Sequence, residues 1–349
     1  MGILLAQLQT AIVAAFTRDE LRQLLKVGLG ISLETITSDK GLDAQVFDLL
    51  LWLERHERLP EFAAAALAAN PTNRELAKAC ATACTAAQTR AAKRAVPAHG
   101  LAGSLAGGLA AILGIEWVAI LGGVQRIGSS AQQDAWAQPE EMPQHDVAVP
   151  DYWIARWPIT NYQYQVFVFA AEHPPPPHWR SGTFPDGKQD HPVVNISWFD
   201  ALLFCRWANV QLPSEVQWER AARGAGTPLW PWGDEPPTPL HCNFGLKIAN
   251  TTPVALFPNG ATAQGVLDMA GNVWEWTGSL WLPYPYDPTG GREDEGGTGL
   301  RVVRGGSYDS TAQQVRCACR GAINPAYGYD DVGMRVVLYN PAASLSTGK

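Results

Sequence analysis

Cysteine is scarce, with six residues in 349, and this excludes a disulfide scaffold for a chain of such length. Cys80 and Cys84 fall on a segment that reads as helix rather than as a staple. Positive charge is also in deficit. Lys and Arg number 26 against 33 Asp and Glu, and residues 1–95 are near neutral at +1 while the remainder carries −8. No part has the basic footprint that nucleic acid requires, so nucleic acid is not an expected partner. The N-terminus, MGILLAQLQT, lacks a positive n-region and a cleavage site, so no secretory signal is expected and a cytoplasmic location is. One stretch, Leu101 to Gly123, has some character of a membrane span after Arg90, Lys93 and Arg94. Its Gly and Ala content and the charge of Glu116 favour a small-residue linker running into a first strand, with no membrane partner.

What is present is an apolar fraction of 46% and a charged fraction of 17%, enough for a core and for two domains. Residues 1–90 read as a compact helical bundle of five or six short helices. Thr17 and Glu20 form a capping box, and Thr72 and Glu75 repeat the device. Between them Leu42, Val46, Leu49, Leu50, Leu53 and Leu59 make an amphipathic stripe, and Gly28 and Gly30 break the preceding segment. Residues 91–114 form an Ala/Gly-rich flexible linker. Beyond it the chain is rich in Trp, Pro and Gly, and 13 of the 14 Trp lie past residue 110. Two helices are expected there, capped by Thr160 with Gln163 and by Ser214 with Gln217. Aromatic anchors between irregular loops must supply much of the remaining core.

Residues 115–337 carry the runs IEWVAILGGVQRIGS, WPITNYQYQVFV, HPVVNISWFDALLFCRWA, QLPSEVQWERAARG, PWGDE, LDMAGNVWEWT, RVVRGGSY and VGMRVV. In this order they resemble the formylglycine-generating-enzyme type of C-type lectin fold, for a domain spanning 115–340. AAFTRDELRQLLKVGLGISLETI, DAQVFDLLLWLERHERLPEF and AALAANPTN resemble the effector-associated, death-like domain of bacterial signalling and conflict proteins. Such domains associate with like domains in partner proteins. The fold class implied is α+β, an all-α death-like bundle followed by an irregular C-type lectin domain.

The enzymes of the resembled family hold copper with two cysteines just after the RGGS block, because soft thiolates select Cu(I). Here Arg304-Gly305-Gly306-Ser307-Tyr308 is followed by no cysteine before Val315, and Ser310 stands where the first ligand is expected. No copper is therefore expected. Cys317 and Cys319 form a later C-x-C pair, whose side chains would share one face of an extended strand; free thiols are the other reading. The sulfoxide-synthase branch needs H-x3-H-x-E, and the seven histidines, at His56, His99, His145, His173, His178, His191 and His241, do not have that spacing. Ser307 lacks the context of a hydrolase nucleophile and reads as a turn serine bonded to backbone. Glu215, Glu219 and Arg220 read as a cluster that stabilises the fold. By resemblance, a structural Ca2+ site would use Asp268, Glu275 and the carbonyls of Gly271 and Val273. The alternative is that Asn272 and Glu275 bond neighbouring loops, with Trp274 and Trp276 in the core. Asn243 matches a second calcium site, but no following aspartate does.

Residues 301–337 resemble the variable region of proteins diversified by diversity-generating retroelements. The fixed framework would be Arg301, Val302, Arg304, Gly305, Gly306, Ser307, Val315, Arg316, Arg320, Pro325, Gly333, Arg335 and Val336. The candidate ligand-binding positions are Tyr308, Asp309, Ser310, Thr311, Cys317, Cys319, Gly321, Ile323, Tyr327, Tyr329 and Asp330. Each is a residue reachable from an Asn codon by changing adenines alone, whereas Gln313 and Gln314 do not fit simply. Tyrosines offer rigid amphipathic area and short polar residues adaptable hydrogen bonds, as in antibody paratopes. The expected function is binding of a macromolecular ligand, a protein, coupled to an adaptor. The competing function is a copper oxidase or related oxygenase acting on a cysteine-containing substrate.

Overall fold

Thr17 begins the best-defined local feature of the N-terminal region. Its hydroxyl accepts from the Glu20 amide at 3.4 Å while Glu20 accepts the Thr17 amide at 2.8 Å, which starts the helix Arg18–Leu24. The computed structural model describes residues 2–36, 41–56, 58–83 and 113–339. They divide into two compact units, 1–115 with 165–175 and 116–164 with 176–349.

In the first unit the helices are Gly2–Ala15, Arg18–Leu24, Leu33–Ile36, Leu42–Arg55, Leu59–Ala69 and 74–83. Val46, Leu49, Leu50 and Leu53 of the expected stripe are fully buried, as are Leu8, Ile12, Leu21, Leu25 and Phe62. Gly28 does not break a helix. It sits inside a π-helical turn, Leu25–Leu29, where a Cβ would lie 2.8 Å from that of Ala65. Gly30 is the terminator, left-handed at φ 67. The second expected box is displaced by one residue: Asn73, not Thr72, caps the helix 74–83, accepting from the Leu76 amide at 3.0 Å. Most of the 91–114 linker and of the 101–123 stretch lies outside the described residues. No helix among the described residues is long and apolar enough to cross a membrane, and residues 117–120 and 123–127 are strands.

Among the described residues the second unit holds nine strands: β1 (Trp117–Ile120), β2 (Gly123–Ile127), β3 (His145–Val149), β4 (Tyr152–Ala155), β5 (Trp274–Leu280), β6 (Arg301–Arg304), β7 (Arg320–Ile323), β8 (Val332–Met334) and β9 (Val337–Tyr339). They make sheets in the orders β1-β4-β9, β2-β3 and β7-β6-β5-β8. All pairings are antiparallel except β5 with β8. β9 returns to pair with β4, so the first and last strands share one sheet. Capping boxes at Thr160–Gln163 and Ser214–Gln217 start the helices Asn161–Ala170, whose residues 165–170 are grouped with the first unit, and Glu215–Arg223. A further helix, Trp198–Ala208, was not expected; Ser197 and Asp200 cap it. Tryptophans anchor the loops between these elements. Trp198, Trp218 and Trp276 are completely buried, and their indole nitrogens donate to Thr277 O, Glu275 Oε2 and Ile196 O at 2.8, 2.7 and 3.1 Å.

Candidate functional site

β6 runs into Gly305 and Gly306, both left-handed at φ 98 and 71. Space as well as backbone demands glycine: a Cβ would lie 3.1 Å from the Trp218 ring at Gly305 and 2.8 Å from Val315 Cγ1 at Gly306. The turn delivers Ser307 into a buried polar knot rather than to backbone partners as expected. Its amide donates to Ser310 Oγ at 2.9 Å, and its hydroxyl lies 2.6 Å from Asp309 Oδ1 and 2.9 Å from Asp331 Oδ2. One hydroxyl proton cannot serve both carboxylates. Burial, with Asp309 and Asp330 nearby, pushes the Asp331 carboxyl above the usual carboxylate range.

Two loops emerge from this knot, 308–314 and 324–331. Asp309, Thr311, Tyr327 and Asp330 are exposed there, and Tyr308 and Tyr329 are partly buried. The other expected contact positions are placed differently. Ser310, Cys317 and Cys319 are buried, and a buried side chain cannot touch a ligand on the surface. The C-x-C pair lies in a run of turns before β7, not on a strand. Gly321 packs so that a Cβ would sit 2.7 Å from Val303 Cγ2, and Ile323 is partly buried at the end of β7, in register with Arg301. The loops are tied to the rest of the unit through backbone: Asn195 N donates to Tyr329 O at 2.8 Å, and Gly245 N and Leu246 N donate to Ser310 O and Tyr308 O at 2.9 and 2.8 Å. The 245–246 contribution, more than 60 residues away in the chain, left no signal in the motif pattern.

Beneath the loops the arginines of the framework are buried and paired. Arg320 forks onto Glu215 at 2.6 and 2.9 Å, Arg304 bonds Glu219 and also the carbonyls of Cys317 and Ala318, and Arg316 bonds Asp134 and Glu141. Glu215 and Glu219 are thus fully engaged in holding the fold. Arg220 pairs with neither, reaching Gln125 Oε1 at 2.6 Å and Leu121 O instead.

Neither metal suggested by the resemblance fits the donors present. For copper, Ser310 already accepts from Ser307, and Cys317 and Cys319 are buried away from the RGGS turn's ligand position, where burial pushes their thiols up to about 12. For calcium, Glu275 is already shared with a buried cationic side chain: the Arg335 guanidinium bonds it at 2.8 and 2.9 Å, and also the carbonyls of Leu267 and Ala155 at 2.8 Å. Trp218 takes the other face of Glu275 Oε2. Asp268 accepts from the Ala255 amide at 2.7 Å and Gly271 O from the Val273 amide at 2.9 Å. Asn243 Oδ1 is buried without a partner, yet among the described residues no three His, Cys, Asp or Glu converge where they could hold an ion.

Residues 113–339 match the sulfatase-modifying factor enzyme 1-like domain, and residues 3–83 match effector-associated domain 1. A hercynine oxygenase of Mycolicibacterium thermoresistibile is 30% identical over 60% of this chain and 56% of its own, and a formylglycine-generating enzyme of Streptomyces coelicolor is 38% identical over 45% and 57%. The chain therefore spans a little over half the length of these curated relatives. Among solved structures, PvdO from Pseudomonas aeruginosa superposes with a TM-score of 0.52 at 25% identity, covering 64% of this chain and 94% of that one. Treponema denticola variable protein 1 superposes with a TM-score of 0.51 at 20% identity, covering 64% and 95%, which is a likeness of fold. With some 227 consecutive residues matched, from strand β1 to strand β9, the chain belongs to the family of the sulfatase-modifying factor enzyme 1-like domain and carries an effector-associated domain 1 at its N-terminal end.

Proposed function

We propose that the second unit is a binding module that recognises a macromolecular ligand, a protein, through the loops 308–314 and 324–331, and that the N-terminal unit couples this event to partner proteins bearing like effector-associated domains. The observation that carries the reading is the division of labour along 301–337. Arg301, Arg304, Arg316, Arg320 and Arg335 are buried, while Asp309, Thr311, Tyr327 and Asp330 face solvent on loops. Loops can change side chains there without touching the lattice that holds them. The finer reading is that these positions are diversified by a retroelement. It implies a near-identical template repeat and a reverse transcriptase close to the gene, and a genome without either removes that part of the proposal. The described cysteines are all free thiols, which supports a reducing, cytoplasmic setting.

The competing reading, an oxidase or oxygenase, draws on the names of the relatives. It is opposed by Ser310 at the expected ligand position and by the burial of Cys317 and Cys319. The deciding experiment loads the purified chain with Cu(I), measures bound copper, and assays turnover of a cysteine-containing peptide with oxygen. Absence of stoichiometric copper and of turnover is the expected result. Stoichiometric copper with turnover overturns the binding reading.

A further inference from the structure

The segment 244–248 lies outside the region read as variable, yet it borders the same loops. Lys247 N donates to Phe244 O at 3.4 Å, closing a turn whose central residues Gly245 and Leu246 are both left-handed, at φ 65 and 58. Glycine adopts this conformation freely. Leucine bears a steric penalty there, and asparagine or glycine would relieve it. The Leu246 side chain is left 57% exposed, and Ile248 two residues on is 49% exposed. A strained backbone that presents an apolar side chain to water is best explained by a contact that the side chain makes elsewhere.

Where that contact lies follows from the two backbone bonds, Gly245 N to Ser310 O and Leu246 N to Tyr308 O. They place the turn directly beside Tyr308 and the knot of Ser307, Asp309 and Ser310. The charge around Tyr308 is negative: Asp330, Asp331 and Asp309 all act on its hydroxyl, after burial, to raise its pKa. Among the described residues none of the three carboxylates is ion-paired to a lysine or arginine, and Lys247 is the single cation of the turn. The surface is thus apolar at Leu246 and Ile248, aromatic at Tyr308 and acidic at its edge.

We infer that the Leu246 turn is a fixed apolar anchor of the ligand surface, and that its occupant is a protein segment presenting apolar side chains together with positive charge. This rests on the binding reading above and specifies its partner chemistry. Burial of the anchor supplies affinity, and the carboxylates select against acidic segments.

A random peptide library displayed on phage and selected on the full chain tests it. The expected result is enrichment of peptides that combine Arg or Lys with large apolar residues, whose binding falls about tenfold with Leu246→Asn. Asparagine is at ease at positive φ, so that variant keeps or raises the melting temperature, which separates lost contact from lost fold; Ile248→Ser is the second, unstrained check. Replacing Asp309 and Asp330 together by Asn weakens the same peptides and flattens their salt dependence. Peptides that lose affinity with Thr311→Ala and Tyr327→Ala but ignore Leu246→Asn and Ile248→Ser overturn this inference while leaving the binding reading standing. Enrichment of acidic peptides overturns it too. No enrichment, or binding indifferent to all these changes, overturns both.

Discussion

In the helical unit the ion pairs Arg22–Asp19, Arg22–Glu34 and Arg58–Glu61 lie at the surface and the interior is mostly apolar, whereas in the second unit Arg304, Arg316, Arg320 and Arg335 meet their carboxylates inside the core. The difference follows from local structure. Helices satisfy their own backbone and need only an apolar stripe, while a loop-rich domain has many carbonyls left over. A buried guanidinium, with its five donors, can collect them: Arg301 bonds four carbonyls, at Gly278, Asp294, Glu295 and Gly297. Charges in the second unit therefore replace secondary structure, and removing one should cost far more than removing a surface pair of the first.

The sharpest test of that contrast is Arg304→Met. It takes one buried guanidinium from Glu219 and Glu215, which keep Arg223 and Arg320, and leaves the carbonyls of Cys317 and Ala318 without that donor; it should destabilise the second unit by about 3–5 kcal/mol, read by tryptophan fluorescence during urea denaturation, since 13 of the 14 Trp report on that part of the chain. A loss below about 1 kcal/mol would erase the distinction.

Next in size is a pH effect confined to the second unit. Burial raises the Asp268 carboxyl to about 6, above the unfolded value of roughly 4. The native state then holds a proton that the unfolded chain has released, so this group's contribution to stability declines as pH rises from about 4 to about 6 and stays lost above that window. Asp268→Asn keeps the acceptor for the Ala255 amide and removes the titration; relative to the parent it should gain stability across that window, by at most about 3 kcal/mol. Parallel pH curves for the two proteins would refute the assignment.

In the helical unit, Thr17→Ala removes a cap and should cost about 1 kcal/mol, followed by helical circular dichroism. Arg22→Ala, which breaks only exposed pairs, should change stability by no more than about 0.5–1 kcal/mol, and less at high salt. Smallest of all is the effect of a calcium chelator: with Arg335 already on Glu275, the melting temperature should not move, and a clear downward shift would show a bound ion that Arg335 does not exclude.

Features set by neighbours in the chain were readable from the sequence. The boxes at Thr17, Thr160 and Ser214 formed because each needs only residues three apart. The Ser197–Asp200 box obeys the same geometry and was missed because an aspartate stands where Glu or Gln is usual. At Thr72-Asn73 two good capping residues adjoin, and only the start of the helix chooses between them. The contact positions in 301–337 were less readable. Codon chemistry and residue type say nothing of burial, so Ser310, Cys317 and Cys319 were grouped with Asp309 and Tyr327 although they lie inside.

The order of the motif blocks and the absence of cysteine beside the RGGS turn belong to the sequence alone; the first specifies the family, and the second leaves the expected copper position without its soft ligands. The tertiary structure decided what no window of residues contains: that Arg335 lies across Glu275 where a calcium ion was anticipated, and that a turn at Leu246 abuts a loop some 60 residues further along. Both depend on long-range hydrogen bonds, whose partners are chosen by how the chain closes rather than by propensity or spacing.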